Sequence, residues 1–199
     1  MSKGRLIVFS APSGCGKGTM LEQILKNDGF RCSVSATTRS PRPGDVDGVN
    51  YHFISREDFE DRIGKDMFLE YAEYCGNYYG TLLSEVDPYL EKGIDVILEI
   101  EVQGAMKIRQ KRPDAVFIFI APPSVSELRR RLNKRGTETQ EVIEERISQA
   151  AGEIALAEKY DYVIVNDALE DAVDDFFAVM RAEKLKAANS GDIINEVLK

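Results

Sequence analysis

A chain of 199 residues carries enough apolar material for one well-buried core and a small subdomain, and too little for a second independent domain. Its longest apolar stretch, Val116 to Ala121, falls far short of the roughly 20 residues that cross a bilayer, so no membrane partner is expected. A formal net charge of −8 excludes a general nucleic-acid binder, which needs excess cation to displace counterions, and leaves any phosphate chemistry to local clusters of Lys and Arg.

The chain opens on Met1-Ser2-Lys3-Gly4-Arg5, with no apolar signal core before the first strand pattern, so a cytoplasmic protein is expected. Leu6 to Ser10 is an apolar run ending in a Gly-rich turn, which predicts a buried strand feeding a helix at about Thr19 to Lys26. From about Cys32 to Ile94 the rhythm breaks, with Tyr and Phe scattered through short strand-like pieces and short helices predicted near Arg56 and Ser84. That segment reads as an insertion. Apolar runs resume at Val96 to Glu101, Val116 to Ala121 and Tyr162 to Val165, each followed by a helical pattern.

Ser124 and Glu127 have the spacing of a capping box and predict a helix start after Pro122-Pro123. Ile143, Ile147, Ala150 and Ile154 mark the buried stripe of one helix, and Leu169, Ala172, Val173, Phe176, Phe177 and Met180 that of another. Strands alternating with helices predict an α/β fold, a central parallel sheet flanked by helices. The tail beyond Ala187 is polar and weakly patterned, either frayed or an interface, so a homo-oligomer stays open. Cys15, Cys32 and Cys75 are odd in number and unevenly spaced, which points away from a zinc site or a disulfide framework and toward buried or inert thiols.

Ala11-Pro12-Ser13-Gly14-Cys15-Gly16-Lys17-Gly18-Thr19 follows the first strand and opens a helix, the context of a Walker A loop. Its glycines let backbone N–H groups turn toward phosphate oxygens, the helix N-terminus adds positive potential, and Lys17 can reach the β and γ phosphates. Ala11 replaces the usual first glycine, and Gly18 stands where a Ser or Thr hydroxyl usually meets Mg²⁺. The metal that accompanies ATP is therefore expected to be held mainly through water and nucleotide oxygens, with Thr19 the substitute hydroxyl. Cys15, beside a helix N-terminus, is expected to have a lowered pKa and a reactivity that ATP blocks.

The loop alone says only that a nucleoside triphosphate binds, since adenylate kinases share its Gly-Lys-Gly-Thr. Ser35-Ala36-Thr37-Thr38-Arg39-Ser40-Pro41-Arg42-Pro43-Gly44 sets two arginines three apart on a loop stiffened by prolines. Tyr51, then Phe68-Leu69-Glu70-Tyr71-Ala72-Glu73-Tyr74, then Gly76-Asn77-Tyr78-Tyr79-Gly80-Thr81 follow. With these motifs the chain resembles the guanylate kinases, from its first strand to about Leu185.

The resemblance implies a P-loop kinase that moves a phosphoryl group from ATP to GMP. Its core would span about 1–31, 95–130 and 147–199, with an inserted NMP-binding subdomain at about 32–94 and a lid at about 131–146. It implies that Arg39, Arg42, Tyr51 and Tyr79 hold the GMP phosphate while Ser35, Glu70, Thr81 and Glu101 surround the guanine. The chemistry is sound in itself. Guanidinium forks bind phosphate bidentately, phenols add hydrogen bonds, and a carboxylate suits the adjacent N1 and N2 donors of guanine but not the N1 acceptor of adenine. Glu99 and Glu101, read as one face of a strand end, form a second acidic pair.

Arg131 and Arg135 share a helical face, and Arg146 lies on the next helix. By resemblance these three arginines close over ATP and steady the phosphoryl group in flight, and Asn166 lies near the adenine. Two rivals remain: a catalytically silent guanylate-kinase-like binding module, and a kinase for another nucleoside monophosphate.

Overall fold

Leu6, Ile7, Val8, Phe9 and Ser10 are all buried, as a strand covered on both faces requires. The computed structural model describes residues 3–135, 139–189 and 191–198. In chain order, β1 (Leu6–Ser10), α1 (Lys17–Ile24) and β2 (Phe30–Cys32) precede β3 (Ala36–Thr37), β4 (His52–Phe53), α2 (Arg56–Gly64), β5 (Phe68–Tyr74) and β6 (Asn77–Leu82). A 3-10 turn, Leu83–Glu85, leads into α3 (Asp87–Glu91), β7 (Asp95–Glu99) and α4 (Val102–Lys111). The chain ends with β8 (Val116–Ala121), α5 (Val125–Arg135), α6 (Gln140–Ala155), β9 (Tyr162–Val165), α7 (Leu169–Leu185) and α8 (Gly191–Val197).

Five strands form the central sheet, in the order β2-β7-β1-β8-β9, and helices flank it, the α/β class expected. The chain packs as two compact units, one of Phe9–Asp28 with the segment from Phe117 onward, the other of Lys3–Val8 with Gly29–Val116.

In the first unit, β8 and β9 pair in parallel, with Ile118 opposite Tyr162 and Ala121 opposite Val165. α7 turns Ala172, Phe176 and Met180 inward, and Phe176 meets Phe9 edge to face at 5.9 Å between ring centroids. α6 buries Ile143, Ile147 and Ala150, with Ile154 half-buried, as its period predicts. Thr139 starts α6 by accepting from the Val142 amide, and Ser124 starts α5 by accepting from the Glu127 amide at 3.0 Å. Only half of the expected capping box forms there, because the Glu127 carboxylate is taken by arginines.

In the second unit, β2 pairs with β7 in parallel, Phe30 opposite Asp95, and Asp95 accepts from the Arg5 amide at 2.7 Å. A separate four-stranded sheet has the order β4-β3-β6-β5. Its β5–β6 hairpin turns on Cys75 and Gly76, both at positive φ (49° and 74°), the pattern of a two-residue type I′ turn with Tyr74 opposite Asn77. Phe59 is the one buried side chain of α2. It stacks on Phe68 at 4.3 Å and on Tyr78 at 5.2 Å, and burying a Phe is worth roughly 1.5–3 kcal/mol, so this ring holds α2 to the sheet.

Two expectations are corrected, and one strand was not expected. α1 begins at Lys17 rather than near Thr19, because Gly16 at φ 80° is already the N-cap. The strand read as Val96 to Glu101 ends at Glu99. Glu101, exposed, is the N-cap of α4, so the period of two does not carry Glu99 and Glu101 onto one strand face. The core strand β2 falls at the edge of what was read as the insertion, its three residues all half-buried and without an apolar pattern. Among the described residues no helix is long and apolar enough to cross a membrane.

Candidate active site

The phosphate loop and its neighbours belong to the first unit. Gly14 and Gly16 sit at φ 92° and 80°, a region that L side chains avoid. Space is also denied them: a Cβ at Gly14 would lie 2.8 Å from Leu132 Cδ2, and one at Gly16 would lie 2.6 Å from Asn166 Nδ2. Gly18 differs, with no positive φ and nothing within 4 Å of a Cβ built on it.

Asn166 donates from Nδ2 to the Cys15 carbonyl at 2.7 Å and is buried, so the residue that follows β9 braces the loop that follows β1. Arg131 donates to the Asn166 carbonyl at 2.9 Å and to Glu127 Oε1 at 2.8 Å, and Arg146 donates to Ser13 Oγ at 2.7 Å. Thus α5 and α6 each send a guanidinium to the loop or to its brace. Glu127 has the sequence position of a helix cap. Its carboxylate instead receives Arg130 and Arg131, which hold it down at about pKa 2. Arg135 ends α5, and its side chain, with Gly136 to Glu138 of the expected lid, lies outside the described residues.

Cys15 is the buried, inert thiol that the cysteine count suggests, and the lowered pKa suggested by its place beside a helix N-terminus is corrected. The thiol is 1% exposed, and burial pushes it up to about 11 although Arg131 and Lys17 pull the other way. The helix N-terminus does not offset the desolvation, so Cys15 stays protonated and inert near neutral pH. Brief alkylation of the native protein at pH 8, read by peptide mass spectrometry, is expected to label exposed Cys75 and spare Cys15 with or without ATP. Comparable labelling of Cys15 would refute the burial argument.

The remaining predicted residues belong to the second unit and form two groups. In one, the Arg39 guanidinium carbon stands 5.5 Å from the Tyr51 ring centroid and 5.4 Å from that of Phe53, and Tyr51 meets Tyr79 edge to face at 5.9 Å. Burial raises the Tyr51 pKa, Tyr79 and Glu99 raise it further, and Arg39 opposes them, so Tyr51 remains a phenol donor. Arg42 is exposed on the same loop. Asp45, which the motif reading passed over, accepts from Arg39 Nη2 at 2.9 Å and from the Arg42 amide at 2.7 Å.

In the other group, Glu70 on β5 and Thr81 on β6 are register partners, and the Thr81 hydroxyl donates to Glu70 Oε1 at 2.9 Å. Glu70 is only 8% exposed, and burial raises its pKa, against the Thr81 bond and Lys107. The hairpin forces this meeting, since a carboxylate and a hydroxyl on opposed strands and one face have Cβ atoms about 5 Å apart. Around Oε2 the neighbour is Gly104 of α4, where a Cβ would lie 3.7 Å away. Ser35 is half-buried, with its carbonyl taken by the His52 amide, and Glu101 stands exposed at the start of α4.

A parallel α/β sheet whose first strand runs into a glycine cradle and Lys17 at the head of a helix defines a P-loop kinase fold. The family model described as guanylate kinase matches residues 3–183. A guanylate kinase of Halalkalibacterium halodurans is 55% identical over 185 residues, covering 92% of this chain and 91% of its own. One from Clostridium tetani is 49% identical over 194 residues, covering 98% and 93%. The crystal structure of a guanylate kinase from Anaplasma phagocytophilum superposes with a TM-score of 0.75 at 36% identity, covering 95% of this chain and 90% of that one. The chain belongs to the guanylate kinase family.

Proposed function

We infer that the protein transfers the γ-phosphoryl group of ATP to GMP, giving ADP and GDP. The observation that carries this reading is the buried Glu70 carboxylate bonded to Thr81 within a chain of this family. A desolvated carboxylate favours a partner with two adjacent N–H donors, which guanine offers at N1 and N2, and the Thr81 hydroxyl supports it. Ser35 and Glu101 are assigned to the same base. Arg39, Arg42, Tyr51 and Tyr79 are assigned to the acceptor phosphate, as two guanidinium forks and two phenol donors. Residues of about 32–94 would then be the NMP-binding insert.

For ATP, the backbone of Ala11 through Thr19 cradles the phosphates and Lys17 bridges them. Arg131, Arg135 and Arg146, in a lid of about 131–146, neutralise charge that spreads over the transferring group. Asn166 is assigned to the adenine side. Mg²⁺ would arrive with the nucleotide, and Thr19, beside Gly18 at the end of the loop, is the residue whose hydroxyl would help hold it through water. When bound, Mg²⁺ supplies positive charge between the phosphates.

The acceptor needs no general base, because a phosphate monoester with a second pKa of about 6 is already an anionic nucleophile at neutral pH. What the protein contributes is alignment and charge. The protein is read as cytoplasmic, in purine nucleotide metabolism. A coupled assay of ADP release with ATP and, in turn, GMP, AMP, CMP and UMP tests the reading. GMP is expected to be the one fast acceptor. Silence with all four despite GMP binding would favour a binding module, and a faster AMP or pyrimidine reaction would overturn the assignment of the base.

A further inference from the structure

We propose that Asp45 is a positioning residue for the acceptor phosphate, fixing the Arg39 guanidinium and the backbone turn that carries Arg42 so that both arginines can reach a single anion. This rests on the reading of those two arginines as phosphate ligands. One oxygen, Asp45 Oδ2, accepts from the Arg39 Nη2 at 2.9 Å and from the Arg42 amide at 2.7 Å, and the Asp45 amide closes the turn by donating to the Arg42 carbonyl at 3.0 Å. The segment so tied packs into no core, since Ser40, Pro41, Arg42, Pro43 and Gly44 are all exposed, and beside its two proline rings and the Arg39 bond to Ser40 it is ordered by these Asp45 bonds.

A guanidinium is planar, so two of its bonds set the direction of the rest. Arg39 gives Nη2 to Asp45 and Nη1 to the Ser40 carbonyl at 2.8 Å, with its plane near Tyr51 and Phe53. Its remaining N–H edge is thereby aimed, and Arg42 is carried on the same turn. A carboxylate beside a phosphate site costs some attraction. Asp45 also offsets the repulsion between two cations three residues apart before substrate arrives, and ordering the Arg39 side chain and the Arg42 backbone in advance lowers the entropy lost on binding.

The test separates position from charge. Asp45→Ala removes both hydrogen bonds and the charge, whereas Asp45→Asn keeps an acceptor oxygen and removes the charge alone. Asp45→Ala is expected to raise the GMP KM about 10- to 100-fold, the range for losing bonds to charged groups, with the ATP KM unchanged. Asp45→Asn is expected to stay within about 3-fold of the parent, since the oxygen it retains is what positions the loop. A GMP KM lowered in both variants would make Asp45 a competitor for Arg39 and overturn the proposal. So would equal rises in the GMP and ATP KM, or no recovery in Asp45→Asn. Arg39→Ala, measured alongside, tells the two ideas apart. If it raises the GMP KM and Asp45→Ala does not, only the positioning role fails. If it has no effect, the phosphate assignment of Arg39 fails and the proposal with it.

Discussion

Lys17→Ala is expected to lower kcat about 10²–10³-fold while GMP binding and folding stay as in the parent. Removing one preorganised donor from developing transition-state charge costs that much, roughly 2.7–4 kcal/mol. Lys17 is the first residue of α1, directly after a glycine pair whose φ values of 92° and 80° shape the loop by themselves. The loop's brace from Asn166 to Cys15 does not involve the lysine, so truncation leaves that brace in place. Pre-steady-state single turnover with saturating ATP and GMP checks it. A drop in the chemical step with unchanged GMP affinity is the expected result. A fall in melting temperature of comparable consequence would assign Lys17 to structure instead.

Glu70→Ala is expected to cut kcat/KM for GMP about 10²-fold, some 2.7 kcal/mol, and to leave the slow AMP reaction unchanged or faster. The asymmetry follows from chemistry. Guanine loses a charged acceptor for two donors, while adenine loses only an acceptor that opposed its own N1. The conservative variant adds a second readout. Burial raises the Glu70 pKa, so the folded state holds a proton more tightly than the unfolded chain does. Stability from this group is then fully present below the unfolded carboxylate pKa and is lost as pH rises through the folded one. At neutral pH Glu70→Gln is therefore expected to melt higher than the parent, the gap closing as pH falls into the carboxylate range, while GMP turnover still declines. Thermal melts between pH 4 and 8 measure it, and a variant less stable at every pH would show that the ionised carboxylate is a net structural asset.

Much of the fold was legible because a few residues speak for whole elements. β1, β8 and β9 are continuous apolar runs bounded by turn residues, and their bounds match those read from the sequence. α6 and α7 show their buried stripes at the helical period. β2 was not legible, since Phe30, Arg31 and Cys32 have no pattern of their own and become a strand only by pairing with β7. Glu101 was misread because a cap residue in extended conformation continues the look of the strand before it.

At the candidate site, sequence motifs named residue types but not their bonds. Glu70 and Thr81 lie 11 residues apart and meet because a Cys75-Gly76 turn sets the register of the hairpin between them. Asp45, Glu127 and the amide of Asn166 carry no motif as tethers, since each takes its role from a hydrogen bond made only after folding. For Cys15 the two local signals disagreed, and the buried, inert thiol suggested by the cysteine count prevails over the rule about helix N-termini.

The most direct trial is a crystal of the protein grown with GMP, solved well enough to orient the purine. N1 and N2 of the base are expected to donate to the Glu70 carboxylate, with the phosphate between Arg39 and Arg42. A guanine bound elsewhere, with Glu70 touching no ring atom, would contradict it.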